Sequence, residues 1–254
     1  MKLSLSNGLF NKLSLEKNFA TVQELGFANM EFNMKTVRRE NDTAIYSAKK
    51  LLGASGLKCL TLHSATLHVK DEVEVQRAIY YGKISLEFAR RLCAPIMTVH
   101  SNVSRKLPGK VRDRCLTEIF SELSMYAKDL NIKLALENLS YTSSGFGKNV
   151  EQLEEILNIV DDGDMGITFD FCHALETRQA DSLLEKYGAR VCNVHMANKA
   201  HKPFTEETPE LTRLLTKLHG YGYTGPITLE LEHRTPVEAI VKTKTLFEKL
   251  LKNF

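Results

Sequence analysis

The sequence of 254 residues is short of most features that mark specialised chains. Trp is absent, Pro and Gly number 6 and 14, and no Pro/Gly/Ser linker or low-complexity segment interrupts the chain. With 43% hydrophobic and 26% charged residues, the composition excludes disordered, collagen-like and disulfide-scaffold chains, and nothing marks an internal domain boundary. The five cysteines, Cys59, Cys93, Cys115, Cys172 and Cys192, are an odd set without a CxxC pair, as expected of reduced, mostly buried thiols in a cytoplasmic protein. No apolar run is long enough to cross a bilayer. The N-terminal MKLSLSNGLFNKLSL alternates polar and apolar residues where a signal peptide needs an unbroken apolar core, so no membrane association is expected. The excess of 34 Lys+Arg over 31 Asp+Glu gives only +3, which does not argue for a nucleic-acid partner. The basic runs KKLL, RRE and RKLPGK are short and read as solvated surface.

What the sequence does have is alternation. Strand-like runs occur at 2–6, 28–33, 58–63, 95–100, 132–137, 166–170, 191–195 and 226–230, spaced by about 30 residues, the length of one βα unit. Between them lie amphipathic stretches such as 41–56, 74–94, 112–131 and 149–162. In the third, Leu116, Ile119, Phe120, Leu123, Tyr126 and Leu130 recur at helical spacing. Gly56, Gly163 and Gly188 follow helical patterns, where a left-handed residue is wanted. Eight repeats of mostly apolar strands, with no GxGxxG turn after the first, predict one α/β domain over 1–254, a single (β/α)8 TIM barrel rather than an open doubly wound sheet.

The functional face of such a barrel is the C-terminal end of its strands. Seven of the eight predicted strands end at or beside Glu31, His63, His100, Glu137, Asp170, His195 or Glu230. A single His or Glu at a strand end is commonly just a polar group facing a loop. Gathered on one rim, unpaired carboxylates would repel one another, and a divalent cation is the simplest way to satisfy them. Glu137, Asp170, His195 and Glu230 form an oxygen-rich ligand set suited to Mn2+, Co2+, Zn2+ or Mg2+. His63, His100 and His173 add nitrogen donors for a second metal or for substrate hydroxyls. Glu31 is a further candidate for substrate contact.

These residues also carry a resemblance. ALEN (135–138), FDFCH (169–173), His195 within NVHMAN and YTGPITLELE (223–232) resemble the xylose isomerase-like TIM-barrel superfamily, which includes sugar phosphate isomerases and epimerases, inosose dehydratase-type proteins and the endonuclease IV family. The resemblance implies a metal held by Glu137, Asp170, His195 and Glu230. Glu137 and Glu230 would also act as acid/base catalysts on opposite faces of a substrate carbon, with His173 touching the substrate. Where the ketose 3-epimerases carry an Arg six residues after the strand-seven His, this chain has His201, a candidate substrate contact of different chemistry. The expected substrate is a small sugar or polyol, and a homo-oligomer would be in keeping with the superfamily. Two other activities compete. Seven residues match ligands of the endonuclease IV three-zinc site, but the Asp-x-His pair that should follow strand seven is missing from NKAHKPFTEETPE. A lyase acting on a related polyol, as in inosose dehydratases, is the other alternative.

Three features remain. Phe10, Phe32, Phe146 and Phe204 either wall a pocket or simply pack. SSGFGK (143–148) has the composition of a mobile lid. Cys172 has no basic neighbour except His173 and does not read as a nucleophile.

Overall fold

Eight short parallel strands close on themselves in chain order: β1 (Lys2–Ser6), β2 (Asn29–Asn33), β3 (Lys58–His63), β4 (Ile96–Val99), β5 (Lys133–Glu137), β6 (Gly166–Asp170), β7 (Val191–Met196) and β8 (Pro226–Leu229). β8 pairs back on β1, with Ile227 opposite Leu3. This is the expected (β/α)8 barrel. The computed structural model describes residues 1–37, 42–160 and 163–254. The basic run at 38–40 and the ends of two predicted helices, at 41 and 161–162, lie outside the described residues.

Around the strands run α1 (Leu15–Glu24), α2 (Asp42–Ser55), α3 (Val75–Arg91), α4 (Gly109–Asp129), α5 (Val150–Val160), α6 (Phe171–Thr177), α7 (Ala180–Tyr187), α8 (Pro209–Gly220) and α9 (Val237–Leu250). The apolar stripe of α4 does what its spacing dictates, since Leu116, Ile119, Phe120 and Leu123 are all fully buried. α1 is started by Ser14, whose side chain accepts from the Lys17 N–H, and α8 by Thr208, which accepts from Leu211, with Pro209 at the first helical position. Gly56 ends α2 in the left-handed region at φ +68°. Gly188, expected in the same role, has φ −52°; a Cβ there would instead meet the Tyr221 ring at 2.5 Å.

The strands are apolar on one face only. Their outward residues pack under the helices, as where Phe32 lies between Phe19 and Phe88 at centroid distances of 6.1 and 5.9 Å. Burying each such side chain contributes about 1.5–3 kcal/mol. The inward residues are small and polar, unlike the branched apolar filling usual in these barrels. Thr98 and Thr168 hydroxyls meet across the lumen at 2.8 Å, and Asn193 Nδ2 donates to Thr98 Oγ1 at 3.1 Å. Thr228 Oγ1 donates to Asn193 Oδ1 at 3.3 Å. Hydrogen bonding, rather than apolar contact, fills this layer.

Two ladders slip by one residue. Met30 pairs with Cys59 but Glu31 with Thr61, and Ile167 pairs with Val191 but Thr168 with Asn193. One extra residue, Leu60 in β3 and Cys192 in β7, is taken up at each slip. Gly166 makes room for the second, because a Cβ there would lie 2.5 Å from Cys192 Sγ.

Of the four phenylalanines considered as pocket walls, Phe204 packs against Phe171 and Phe247, Phe146 lies under the Arg112 guanidinium at 4.0 Å, and Phe10 packs on the core. With Phe32 they are packing residues, and none lines the cleft described below. The segment expected as a lid is tied down. Phe146 N–H donates to Val103 O at 2.9 Å, Leu139 N–H to Gly147 O at 3.0 Å, and Gln152 Oε1 accepts from Gly147 and Lys148.

Candidate metal centre

One layer above the polar floor, the strand ends bring six of the seven strand-end residues and His173 together, with Glu31 beneath them. His63, Glu137, Asp170 and His195 come from β3, β5, β6 and β7, while His100 and Glu230 directly follow β4 and β8. Glu31, Glu137 and His195 are fully buried. His195 Nδ1 lies 3.3 Å from Glu137 Oε1, 3.2 Å from Glu230 Oε2 and 3.9 Å from Asp170 Oδ2. Ligand atoms of these four residues fall within 4.8 Å of one another, and so do those of His63, His100 and Glu137.

The donor atoms are poorly satisfied by the protein itself. His63 Nε2, His100 Nε2, His195 Nδ1 and both carboxylate oxygens of Glu137 are buried without a hydrogen-bond partner. His100 Nε2 approaches Glu137 Oε2 to 2.9 Å, yet both atoms remain unpartnered, so this is proximity without hydrogen-bond alignment. Buried polar atoms left in this state each cost about 1–3 kcal/mol. Converging nitrogen and carboxylate lone pairs are the donor set of a divalent cation, and the residues fit one.

Local hydrogen bonds aim the ligands. Asn138 clamps Asp170, donating from Nδ2 to its carbonyl at 2.9 Å and accepting its N–H at 2.8 Å. Asp170 Oδ1 accepts from the His173 N–H at 2.7 Å, which starts α6 directly at the site. His195 Nε2 faces Glu31 Oε2 at 2.8 Å, and the same oxygen accepts from Thr61 Oγ1 at 2.9 Å. Glu31, considered for substrate contact, therefore lies beneath His195 and is shut off from the cleft; its partner is the ring. Asn138, Thr61 and Asn193 were not singled out in the sequence. The signals for them were the Asn of ALEN and the residues two places before His63 and His195, which share their inward face.

Electrostatics follow this geometry. Burial alone would lower the His195 pKa, but Glu31, Glu137 and Glu230 outweigh it and hold it well above the ordinary value. Burial would raise Glu137 and Glu230, but neighbouring histidines, chiefly His100 and His195 for the first and His195 for the second, keep both well below the carboxylate range. Asp170 is raised, by burial first and then by Glu137 and Glu230. Burial pushes the Cys172 thiol up to about 12, so it does not serve as a nucleophile.

A stability prediction follows for the metal-free protein. The raised His195 pKa contributes stability that is fully present below the unfolded value and is lost as pH rises through the folded one. The lowered Glu137 and Glu230 values contribute stability present above their unfolded values and lost as pH falls. A cation replaces the histidine proton, so its stabilisation grows with pH. At a fixed metal concentration about 100 times the Kd found at about pH 8.5, the rise in Tm should be roughly 5–10 °C at that pH and smaller at about pH 6, where protons compete for the site. Thermal melts with and without Mn2+, Co2+ or Zn2+ check this; a rise that shrinks with pH would contradict it.

A cleft of about 520 Å³ opens over the site and is lined by Asn33, Lys35, Thr142, His173, Glu176, His201, Glu230 and Glu232 among others. Polar groups of both charge signs stand among apolar ones such as Leu9 and Leu231, a mixture that suits a hydroxylated ligand. A larger surface depression of about 740 Å³ along α8 contains Glu207, Arg213 and Lys217 but no ligand cluster. Among the described residues, no helix is long and apolar enough to cross a membrane.

Residues 19–250 match the family described as Xylose isomerase-like TIM barrel. The chain belongs to that family. Over 178 residues it is 28% identical to the "Uncharacterized protein MJ1311" of Methanocaldococcus jannaschii, a match covering 66% of this chain and 60% of that protein. The match thus spans about 60% of the length of this curated relative. Among solved structures, a D-tagatose 3-epimerase-like protein superposes with a TM-score of 0.81 at 22% identity, covering 100% of this chain and 98% of the other. The IolI protein, solved with a zinc atom, gives 0.77 at 19% identity over 100% and 99%. Those likenesses establish the fold.

Proposed function

We propose that the protein is a metal-dependent isomerase or epimerase of a small sugar, sugar phosphate or polyol, with Glu137 and Glu230 as its acid/base pair. The observation that carries this is the convergence of Glu137, Asp170, His195 and Glu230 within 4.8 Å beneath an open cleft, with buried donor atoms that have no partner in the protein. The fold shared with a D-tagatose 3-epimerase-like protein and with zinc-binding IolI supports it.

Glu137, Asp170, His195 and Glu230 would hold the cation. When bound, it supplies Lewis acidity, polarising a carbonyl and acidifying the proton on the adjacent carbon. The protein's own groups then move the proton. Glu137 projects from β5 and Glu230 follows β8, so the two carboxylates reach the site from different sides of the barrel rim. One removes the α-proton and the other returns a proton to the opposite face of the same carbon. The surrounding histidines hold both carboxylates ionised in the free site, so each can accept the α-proton, and the one that returns a proton first takes it up from solvent in the cleft. His173 and His201 line the cleft wall beside this pair. The test is a solvent-deuterium exchange screen of common ketoses, their phosphates and inososes with Mn2+ or Co2+ added. Exchange at a carbon next to a carbonyl is expected, and its absence from every compound would remove the reading.

A phosphodiesterase reading is favoured by one observation: the second ligand group, His63, His100 and Glu137, would add a metal beside the first. Multi-metal sites suit in-line displacement at phosphorus. Cleavage of an abasic-site oligonucleotide, with no sugar exchange, would select it.

A further inference from the structure

Outside the four central ligands, His173 and His201 face each other across the cleft wall. Their Nε2 atoms are 3.2 Å apart. The Nδ1 atom of each ring is already committed to a backbone carbonyl, His173 to Asn138 O at 2.8 Å and His201 to Glu230 O at 2.9 Å. A carbonyl only accepts, so each Nδ1 carries the proton and each Nε2 of the neutral ring carries a lone pair. Two lone pairs at this distance repel unless a proton on one ring or a metal ion lies between them, and the separation fits either. With a Zn–N bond of about 2.0–2.1 Å and a tetrahedral angle, two imidazole ligands on one zinc ion are separated by about 3.3 Å. The observed separation is that bite. Asp170 completes a trio, since ligand atoms of Asp170, His173 and His201 lie within 4.8 Å of one another.

The backbone makes a costly arrangement to bring His201 there. Ala200 and His201 are consecutive non-glycine residues in the left-handed region, at φ 58° and 52°. Each costs about 1–2 kcal/mol, and the strain is held by surrounding bonds. Asn198 N–H donates to Lys202 O at 2.9 Å, Glu232 N–H to His201 O at 2.9 Å, and His201 N–H to Cys172 Sγ at 3.3 Å. The turn is over-determined, and its product is the aim of one imidazole.

We propose that His173 and His201, with Asp170, form an additional binding site for a divalent cation, zinc or cobalt by its ligand chemistry, whose open coordination position faces the cleft. Two nitrogens and one carboxylate oxygen with a free position are the ligand pattern of a cation that takes up a further oxygen ligand. The sequence offers His173 as a donor for a second metal but His201 only as a substrate contact, and it is the fold that pairs the two rings. The site does not depend on the isomerase reading, as only Asp170 is shared with the central ligands.

The test is a titration of the metal-stripped full chain with Co2+, counting equivalents by metal analysis after equilibrium dialysis and following the visible absorption of four-coordinate Co2+. The wild type is expected to bind one equivalent more than His201→Gln, and the missing equivalent should account for part of the visible band. Glu230→Gln should lose a different equivalent and keep this one. A melting curve on His201→Gln, at a partly exposed position, verifies that the variant is folded. Equal stoichiometry and identical spectra for wild type and His201→Gln would overturn the proposal. If Glu230→Gln alone then loses metal, the central site stands and only the additional one fails.

Discussion

Glu137→Gln and Glu230→Gln are each expected to lower epimerisation by about a thousandfold, within the 10²–10⁴ range that a positioned acid or base supplies. Glutamine keeps the shape and one coordinating oxygen of glutamate but cannot accept the proton. The chain is expected to fold, because the floor beneath the site is closed by hydrogen bonds that involve neither residue. The two variants should also differ from each other. If each carboxylate serves one face of the substrate carbon, each variant loses solvent-deuterium exchange from one epimer and keeps it from the other. Exchange from both epimers at wild-type rates in both variants would rule out the two-carboxylate mechanism. Loss of all exchange together with loss of metal would assign the residues to binding alone, so metal content is measured alongside.

Glu31→Gln should weaken metal binding by about 10–100-fold without touching a ligand directly, the usual effect of removing the partner behind a ligating histidine. A carboxylate oxygen at 2.8 Å holds one His195 proton on Nε2, so that a cation can replace the other at Nδ1, which faces Glu137 and Glu230. A glutamine amide in its place can donate to Nε2 and thereby move the proton to Nδ1, where it blocks the cation. Thr61→Val, which removes only the hydroxyl that supports Glu31, should have a smaller effect in the same direction. Equilibrium dialysis with Co2+ reads both. Unchanged affinity in Glu31→Gln would show that His195 is oriented by other contacts.

Much of this molecule is legible from its residues. Hydrophobic periodicity located the eight strands and the buried stripe of α4, and strand ends placed Glu137, Asp170, His195 and Glu230, with Glu31, His63 and His100, on the one rim where such residues can meet. The polar lumen was not legible. Thr98, Thr168 and Thr228 read as unremarkable strand residues, and only closure of the barrel brings side chains so distant in sequence within hydrogen-bond reach. Glu31 looked like any other strand-end acid; its height relative to His195 depends on the stagger of neighbouring strands, which composition does not encode. The His173–His201 pair was hidden for a related reason, since it needs a turn with two residues in the left-handed region and no glycine to announce it.

The one-residue slips in β3 and β7 bear on how this barrel tolerates changes in chain length. Cys59 and Thr61 are two apart in sequence yet lie on opposite faces of the sheet, as do Val191 and Asn193, judged by their partners. In an uninterrupted strand, losing one residue turns everything beyond it inside out. Here the loss of Leu60 or Cys192 would restore a regular ladder and leave His63 and His195 pointing into the lumen. The two histidine-bearing strands thus carry a spare residue below the site, so that a length change at the bottom of the barrel need not reach the chemistry at the top.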